Sequence, residues 1–175
     1  MMRFAALMLA AVAAFAGGWS EPEIILHDDE PAVIYRARWT GSHVVVEVKL
    51  AQGFHTFAMD NKRRVEEKLA GQAALATDLP TSIRLSGALV AEGPWMQPEP
   101  KDFSKPELRL YAYGFEEGAV FAVKAKRVAG AEAKVHVRAQ ACTDKVCKNV
   151  NLELEVPLEG AGEGDVDLKD LIQVR

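Results

Sequence analysis

Short runs of alternating apolar and polar residues, separated by turn-forming residues, dominate this sequence. In residues 33–39 every second side chain is apolar, and the pattern repeats in His43–Leu50 after the turn residues Thr-Gly-Ser. Two alternating runs around a glycine-containing turn are typical of a β-hairpin, because alternation gives each strand one apolar face. Further strand-like runs occur at 82–90, 107–113, 120–128, 134–142 and 147–158. We therefore predict an all-β domain, an antiparallel β-sandwich of immunoglobulin-like type.

One short helix is predicted within this domain, in the sequence KRRVEEKLAG at residues 62–71. Asp60 is a suitable N-cap residue and Gly71 a suitable C-terminal stop. Lys62 and Glu66 carry opposite charges four residues apart, a spacing that places them side by side on a helix. We expect the charged face of this helix to be solvated.

The first residues have the three parts of a secretory signal peptide. Arg3 supplies a positive charge, residues 4–16 form an unbroken run of 13 apolar residues, and Ala14-Phe15-Ala16 places small residues at the cleavage site. The run is shorter than the roughly 20 residues of a membrane-spanning helix. An uncleaved N-terminal anchor remains the alternative. We expect cleavage after Ala16 and a periplasmic or secreted protein that does not span the membrane.

The rest of the chain divides into three parts. Residues 17–32 are interpreted as a leader segment, residues 33–158 as the folded domain, and residues 159–175 as a flexible acidic tail that could form a short helix. Acidic residues outnumber basic ones by 25 to 21, which gives a formal net charge of −4. Because nucleic-acid binding needs clustered Lys and Arg to neutralise phosphates, we expect no nucleic-acid partner.

The two cysteines, Cys142 and Cys147, flank the short turn at 143–146 between two predicted strands. A register that places them opposite each other also pairs chemically matched residues on both faces. These pairs are Lys134–Glu155, Val135–Leu154, His136–Glu153, Val137–Leu152, Arg138–Asn151 and Gln140–Asn149. Strand parity then puts both cysteines on the outward, polar face of the sheet.

Outside the cytoplasm, two neighbouring cysteines can form a disulfide. A bridge that closes a loop of about six residues stabilises a fold by roughly 2 kcal/mol, against nearly 5 kcal/mol for a loop of about 100 residues. A position on the outward face instead favours a redox pair that the thiolate of a partner protein can attack. A purely structural hairpin bridge remains the alternative.

Other kinds of cysteine chemistry have weaker support. Zinc sites usually need a tetrahedral set of ligands, and this cysteine pair supplies only part of one. The four histidines, His27, His43, His55 and His136, show no ligand spacing with each other or with the pair. We therefore expect no metal and no cofactor. Papain-like Cys–His catalysis stays open, whereas phosphate-binding loops and the common hydrolase motifs are missing from the sequence.

The sequence ACTDKVCKNVNLELEVPL resembles the cysteine hairpin of the N-terminal periplasmic domain of DsbD, a transmembrane thiol–disulfide reductase. The resemblance extends over residues 33–158. It implies an immunoglobulin-like fold with one redox cysteine pair. It also implies two kinds of partner. A thioredoxin-like or transmembrane dithiol protein would donate electrons, and a periplasmic thiol protein would accept them.

Two further segments resemble parts of that family. GFHTFAM resembles the family's glycine-aromatic segment near the active site, which typically carries tyrosines, and His55 and Phe57 occupy the matching positions. The proline-rich loop at 95–105 resembles the family's cap loop. In that loop an aromatic residue covers the disulfide, and Phe103, preceded by Asp102, is the best match. Phe103 could also simply anchor the loop on the sandwich.

The chain also departs from the family. Lys148-Asn149 stands where the family often has Pro-Pro, and no membrane-embedded or thioredoxin-like segment is found in this sequence. We therefore expect a free-standing or repurposed domain that exchanges thiols and disulfides through Cys142 and Cys147. The alternative is a non-catalytic periplasmic binding or assembly module whose bridge only pins a hairpin.

Overall fold

The computed structural model describes residues 18–72, 79–159 and 166–175. These residues form thirteen β-strands, one α-helix and one 3₁₀ turn. The elements in chain order are β1 (Glu23–His27), β2 (Glu30–Trp39), β3 (His43–Leu50), β4 (His55–Phe57), α1 (Asn61–Leu69), β5 (Ser82–Gly87), β6 (Leu89–Ala91), β7 (Met96–Pro98), β8 (Lys101–Asp102), the 3₁₀ turn (Pro106–Leu108), β9 (Tyr113–Glu116), β10 (Gly118–Arg127), β11 (Ala133–Cys142), β12 (Cys147–Glu155) and β13 (Leu171–Gln173).

The strands form two antiparallel sheets that enclose one main core. In the first sheet the order is β1-β2-β3-β10-β7-β13, and β6 also pairs with β10. In the second sheet the order is β12-β11-β4-β9-β8, and β5 also pairs with β11. This arrangement confirms the predicted immunoglobulin-like β-sandwich with one short helix.

The core consists of the alternating apolar residues that the sequence indicated. Tyr35 on β2 faces Val48 on β3, and both side chains are fully buried. Val135 and Val137 on β11 fill the same core from the other sheet. Burial of one such side chain contributes about 1.5–3 kcal/mol to folding. A slip of one residue in register would expose all of them, so the alternation determines the register.

The strand predicted at 107–113 is wrong. Leu108, Leu110 and Ala112 alternate as in a strand, but Pro106–Leu108 form the 3₁₀ turn and the strand starts at Tyr113. Arg109 has a left-handed backbone conformation, with φ of 54°, which an extended strand does not accommodate. This break turns the segment into a hairpin whose arms are β8 and β9.

The leader predicted at 17–32 belongs to the fold. Strand β1 lies within it and pairs with β2 as an outer strand of the first sheet. Further upstream, the Ser20 amide donates a hydrogen bond to the Ala37 carbonyl at 2.6 Å. The β1 sequence, EIILH, does not alternate between apolar and polar residues, so it gave little indication of a strand. In the fold its apolar residues Ile24 and Leu26 stay exposed. The predicted signal peptide lies outside the described residues.

The C-terminal segment forms a strand, and the prediction of a short helix there is wrong. Strand β13 pairs with β7, and the Val174 amide donates a hydrogen bond to the Trp95 carbonyl at 2.8 Å. The open edge of β7 offers backbone hydrogen bonds that so short a helix could not match, because helix nucleation is costly. Most of the acidic stretch before β13 lies outside the described residues.

Helix α1 lies close to the predicted position and ends at Ala70, in a left-handed conformation just before Gly71. Asp60 occupies the N-cap position, but its side chain makes no capping hydrogen bond and contacts Gln97 and Arg64 instead. Lys62 and Glu66 lie 3.9 Å apart, as the spacing predicted. The expectation of a merely solvated charged face is only partly right, because Arg64 and Lys68 of α1 form ion pairs with Glu99 and Asp102. In the described ranges, no helix is both long and apolar enough to cross a membrane.

Candidate functional site

The hairpin of β11 and β12 carries the candidate site, and its register is the predicted one at every position. Cys142 lies opposite Cys147, and the pairing continues without interruption to Lys134 and Glu155. The two cysteines are joined by a disulfide. His136 lies 3.2 Å from Glu153, as its register position predicted. The local chemistry of facing residues was therefore sufficient to align these strands.

The turn between the cysteines is held by Thr143. Its amide donates a hydrogen bond to the Val146 carbonyl at 2.8 Å, and its hydroxyl accepts one from the Val146 amide at 3.1 Å. Threonine hydroxyls form such local turns readily. The turn therefore keeps both cysteines at the end of the sheet, where a partner protein could approach them.

The two sulfur-bearing residues differ in exposure. Both follow the outward parity of their strands, but Cys142 is only 3% exposed whereas Cys147 is exposed. The expectation that both are accessible is therefore wrong for Cys142. Phe57, Ala112 and Phe103 form a small apolar cluster around it, apart from the main core. One half of the bridge is covered and the other half is open.

The cover over Cys142 is a hairpin formed by residues 101–114, which we call the cap hairpin. Beyond strands β8 and β9 its arms stay connected, because the Phe103 amide donates a hydrogen bond to the Ala112 carbonyl at 2.9 Å. Nearer the tip, the Lys105 amide donates one to the Leu110 carbonyl at 2.8 Å. The first arm of the cap hairpin, which belongs to the loop expected at 95–105, is thus an ordered part of the second sheet.

Gly114 brings the cap hairpin close to strand β4. A Cβ atom at this position would lie 2.0 Å from the Thr56 carbonyl oxygen, so a larger residue would push β9 away. Phe57 pairs with Gly114 and lies on the cysteine side of the sheet. The glycine therefore positions both arms of the cap hairpin over the disulfide.

His55 lies beside the disulfide. It is the direct cross-strand neighbour of Cys142 in the β4–β11 pair. Its ring centroid lies 5.3 Å from that of Phe57 in an edge-on arrangement and 5.1 Å from that of Phe103. The structure therefore brings together the two aromatic positions and the histidine that the sequence singled out.

An ion pair connects the tip of the cap hairpin to the cysteine turn. Lys105 Nζ donates a hydrogen bond to Asp144 Oδ1 at 2.8 Å. This bond holds the pKa of the Asp144 carboxyl below its usual value and raises the pKa of Lys105. Both side chains are in water, where such a pair contributes little to stability. The contact therefore positions the tip of the cap hairpin next to the cysteine turn but contributes little free energy to keeping it there.

A second ion pair connects the cap hairpin to helix α1. Lys68 Nζ donates a hydrogen bond to Asp102 Oδ2 at 2.5 Å and another to the Ser104 hydroxyl at 3.1 Å. Partial burial alone would raise the pKa of Asp102, but the bonds from Lys68 and Ser104 outweigh it and lower that pKa. Lys68 thus fixes Asp102, the residue that precedes Phe103.

A buried polar network lies beneath the cap hairpin. Gln97 Nε2 donates a hydrogen bond to Asp60 Oδ1 at 2.7 Å, and Gln97 Oε1 accepts one from the Met59 amide at 2.9 Å. Arg64 Nε lies 3.0 Å from the same Asp60 oxygen. Asn61 Oδ1 accepts a hydrogen bond from the Tyr113 amide at 2.7 Å. These contacts hold the chain on both sides of the cap hairpin.

Several of these residues were missed by sequence reasoning. Lys68 was assigned to a solvated helix face, and Lys105, Gln97 and Ala112 were assigned no role. Lys68 and Asp102 are 34 residues apart in sequence, and Lys105 and Asp144 are 39 apart. Contacts over such distances leave no periodic signal in a single sequence. Trp95, at the start of the proline-rich loop, packs partly buried against the main core.

In the described part of the chain, no group of three or more His, Cys, Asp or Glu residues is arranged to hold a metal ion. The chemistry that the described site offers is that of a disulfide between a buried and an exposed cysteine.

Known proteins match the part of the chain that contains the cysteine hairpin and the cap hairpin. The model of the family "Thiol:disulfide interchange protein DsbD, N-terminal" matches residues 24–158. Among solved structures, the fold is similar to the N-terminal periplasmic domain of ScsB from Proteus mirabilis, with a TM-score of 0.56 and 17% identity. That match covers 82% of this chain and 52% of the other, so this chain spans about half the length of the ScsB structure.

A second similar structure is the Neisseria meningitidis DsbD N-terminal domain in the reduced form. Its TM-score is 0.51 at 16% identity, and the match covers 76% of this chain and 93% of that chain. At these identities the two structures support the fold, and no curated protein matches the sequence. Because the family model extends over most of the 175 residues and includes both cysteines, the chain belongs to the family of DsbD N-terminal domains.

Proposed function

We propose that this domain exchanges thiols and disulfides with other proteins through the Cys142–Cys147 pair. The observation that carries the proposal is the unequal exposure of the bridge: Cys147 is open, and Cys142 is covered by an aromatic residue on an ordered hairpin. A bridge that only stapled the hairpin would need no such cover. Membership of the DsbD N-terminal family supports the same chemistry.

The exposure difference also assigns an order to the steps. A partner thiolate attacks Sγ of Cys147, a new intermolecular disulfide forms, and Cys142 leaves with the electron pair of the broken bond. A second thiolate of the partner then attacks the partner sulfur that is bonded to Cys147, and Cys147 is released as a thiolate. The partner dithiol becomes a disulfide, and this domain gains two electrons and two protons. The reverse sequence passes them to an acceptor, and no cofactor takes part.

The proposed partners are proteins. A thioredoxin-like or transmembrane dithiol protein would reduce the pair, and a periplasmic thiol protein would reoxidise it. Leu108 and Leu110, at the tip of the cap hairpin, are 53% and 39% exposed. Lys105 links this tip to the cysteine turn, so the leucines offer apolar surface close to the bridge. We assign Phe103 and Asp102 to the cover and His55 and Phe57 to its inner wall.

The location proposed for the domain is the periplasm, after removal of residues 1–16. The signal-like N-terminal sequence and the periplasmic description of the similar ScsB domain support this assignment. Mass spectrometry of the exported protein should give a chain that begins at residue 17. An intact N terminus in the membrane fraction would contradict export as a cleaved protein.

The reduction potential of the pair distinguishes exchange from a structural role. Structural bridges in secreted proteins typically have potentials below about −300 mV, whereas exchange-competent bridges lie higher. We expect equilibration with glutathione or dithiothreitol buffers to give a value above that limit. We also expect reduced thioredoxin, used as a test dithiol protein, to reduce the bridge. A potential below the limit together with no reaction would favour the binding or assembly module.

A further inference from the structure

The burial of Cys142 creates a chemical difficulty for the proposed exchange, on which this inference rests. When a thiolate attacks Cys147, the leaving sulfur is that of Cys142, which is 3% exposed. Phe57, Ala112 and Phe103 surround it. Apolar surroundings disfavour a thiolate, so a leaving group in this position needs a proton or a nearby positive charge.

His55 is positioned to meet that need. It lies directly opposite Cys142 on the neighbouring strand. Opposed residues of antiparallel strands point to the same face, with Cβ atoms about 5 Å apart. Phe57 and Phe103 contact the imidazole ring from different directions, at centroid distances of 5.3 and 5.1 Å. The aromatic residues that cover Cys142 therefore also pack against its cross-strand neighbour His55.

Two carboxylates are related to His55 directly: Asp144 of the cysteine turn interacts with it electrostatically, and Glu116 is its cross-strand partner on β9. Lys101 and Lys105 of the cap hairpin bond these two carboxylates, and Asp102 precedes Phe103, whose ring contacts the imidazole. Asp144 bonds Lys105, and Glu116 bonds Lys101 at 2.8 Å. Asp102 bonds Lys68. Asp144 also interacts electrostatically with His55, and imidazole is the side chain whose charge ordinarily changes between about pH 5 and 8.

We propose that His55 is the proton donor to Cys142 when the disulfide opens and the proton acceptor when it closes. On opening, the partner sulfur bonds to Cys147, the Cys142–Cys147 bond breaks, and its electron pair stays on Cys142 Sγ. The imidazolium transfers its proton to that sulfur and becomes neutral. On closing, the neutral imidazole removes the proton, the Cys142 thiolate attacks Cys147 Sγ, and the bond from Cys147 to the partner breaks with the partner sulfur leaving as a thiolate. Water restores the histidine proton after opening.

The test is the pH profile of reduction by dithiothreitol, followed by stopped-flow between pH 5 and 8. Each rate constant is divided by the thiolate fraction of dithiothreitol, because only the thiolate attacks. For the unmodified domain we expect the corrected value to rise about tenfold or more from pH 8 to pH 5. His55→Phe keeps an aromatic ring between Phe57 and Phe103, and its corrected rate should stay constant across this range.

His136→Gln is the matched control. His136 lies on the same face of β11 but bonds Ser86 and Glu153 away from the bridge, so this variant should keep the original profile. His55→Gln provides a second variant and should also give a constant corrected rate. A rising profile in both His55 variants, or a flat one in the unmodified domain, would overturn the proposal. Because dithiothreitol is the probe, a failure to react with thioredoxin would remove the proposed function but leave this measurement interpretable.

Discussion

The cap hairpin is held by two kinds of contact, which differ in burial. At its base, Asp60, Arg64 and Gln97 form a buried network in which Gln97 is fully enclosed and Asp60 nearly so. On its outer side, the Lys68–Asp102 pair at β8 and the Lys105–Asp144 pair near the tip are open to solvent, at least in part. Both sets use opposite charges and hydrogen bonds, yet only the base removes them from solvent.

The difference follows from the dielectric environment. Breaking a buried ionic network leaves a charge or a donor without water, which costs several kcal/mol, whereas an exposed pair exchanges its partner for water at little cost. The base should therefore stay fixed while the outer end opens. This division suits a cover that has to admit a partner protein without unfolding the domain.

The largest expected effect comes from breaking the base. Asp60→Ala removes the acceptor of the buried Gln97 amide and the buried carboxylate that pairs with Arg64, which keeps only the exposed Glu99, and we expect the free energy of unfolding to fall by about 3 kcal/mol. Urea denaturation measures this change. Lys62→Ala, on the exposed face of the same helix, should change it by less than about 0.5 kcal/mol. Similar values for the two variants would show that the base is no more strongly held than the surface.

Removing the bridge itself should have a smaller effect. Cys142→Ala combined with Cys147→Ala should lower the free energy of unfolding by about 2 kcal/mol and leave the domain folded, because the ring is short. Thermal melts of the unmodified domain with and without reductant should show the same loss. Reductant should not affect the double variant. Global unfolding on reduction would mean that the disulfide is a structural staple.

Removing the cover should change the reduction rate more than the stability. Phe103→Ala takes away the ring that packs on Cys142, so dithiothreitol should reduce the bridge several times faster at a fixed pH. Leu108→Ala, at the exposed tip of the same hairpin, is the control and should leave the rate unchanged. Stopped-flow measurement gives both rates. Equal rates for Phe103→Ala and the unmodified domain would remove Phe103 from the cover.

The smallest effect is expected from the outer ion pairs. Lys68→Gln combined with Lys105→Gln should raise the reduction rate by less than about threefold, as is usual for exposed pairs.

The same ion pairs should make the cap hairpin sensitive to acid. Asp102 and Asp144 have lowered pKa values, so their contribution to holding the cap hairpin is complete above the usual carboxyl pKa and is lost as the pH falls through the lowered pKa. Acidification below about pH 4 should therefore speed reduction by a phosphine in the unmodified domain. The double variant should respond less, and an equal response in both proteins would mean that these pairs do not hold the cap.

The sequence by itself determined the features that depend on neighbouring residues. Alternation in β2 and β3 specified which side chains enter the core, because a strand has a period of two residues. Facing pairs such as His136 with Glu153 specified the register of the cysteine hairpin and thus the opposition of Cys142 and Cys147. The resemblance of that hairpin to one family pointed to the family that the model match then showed.

Tertiary structure decided what depends on residues far apart in the chain. The parity of β11 places Cys142 on the outward face, but a hairpin some 40 residues upstream buries it. The tail segment could form a helix on its own, yet the open edge of β7 makes it a strand. Lys68 contacts Asp102 only because α1 and the cap hairpin pack side by side. Such contacts arise from the packing of whole elements, and no local pattern in a single sequence records them.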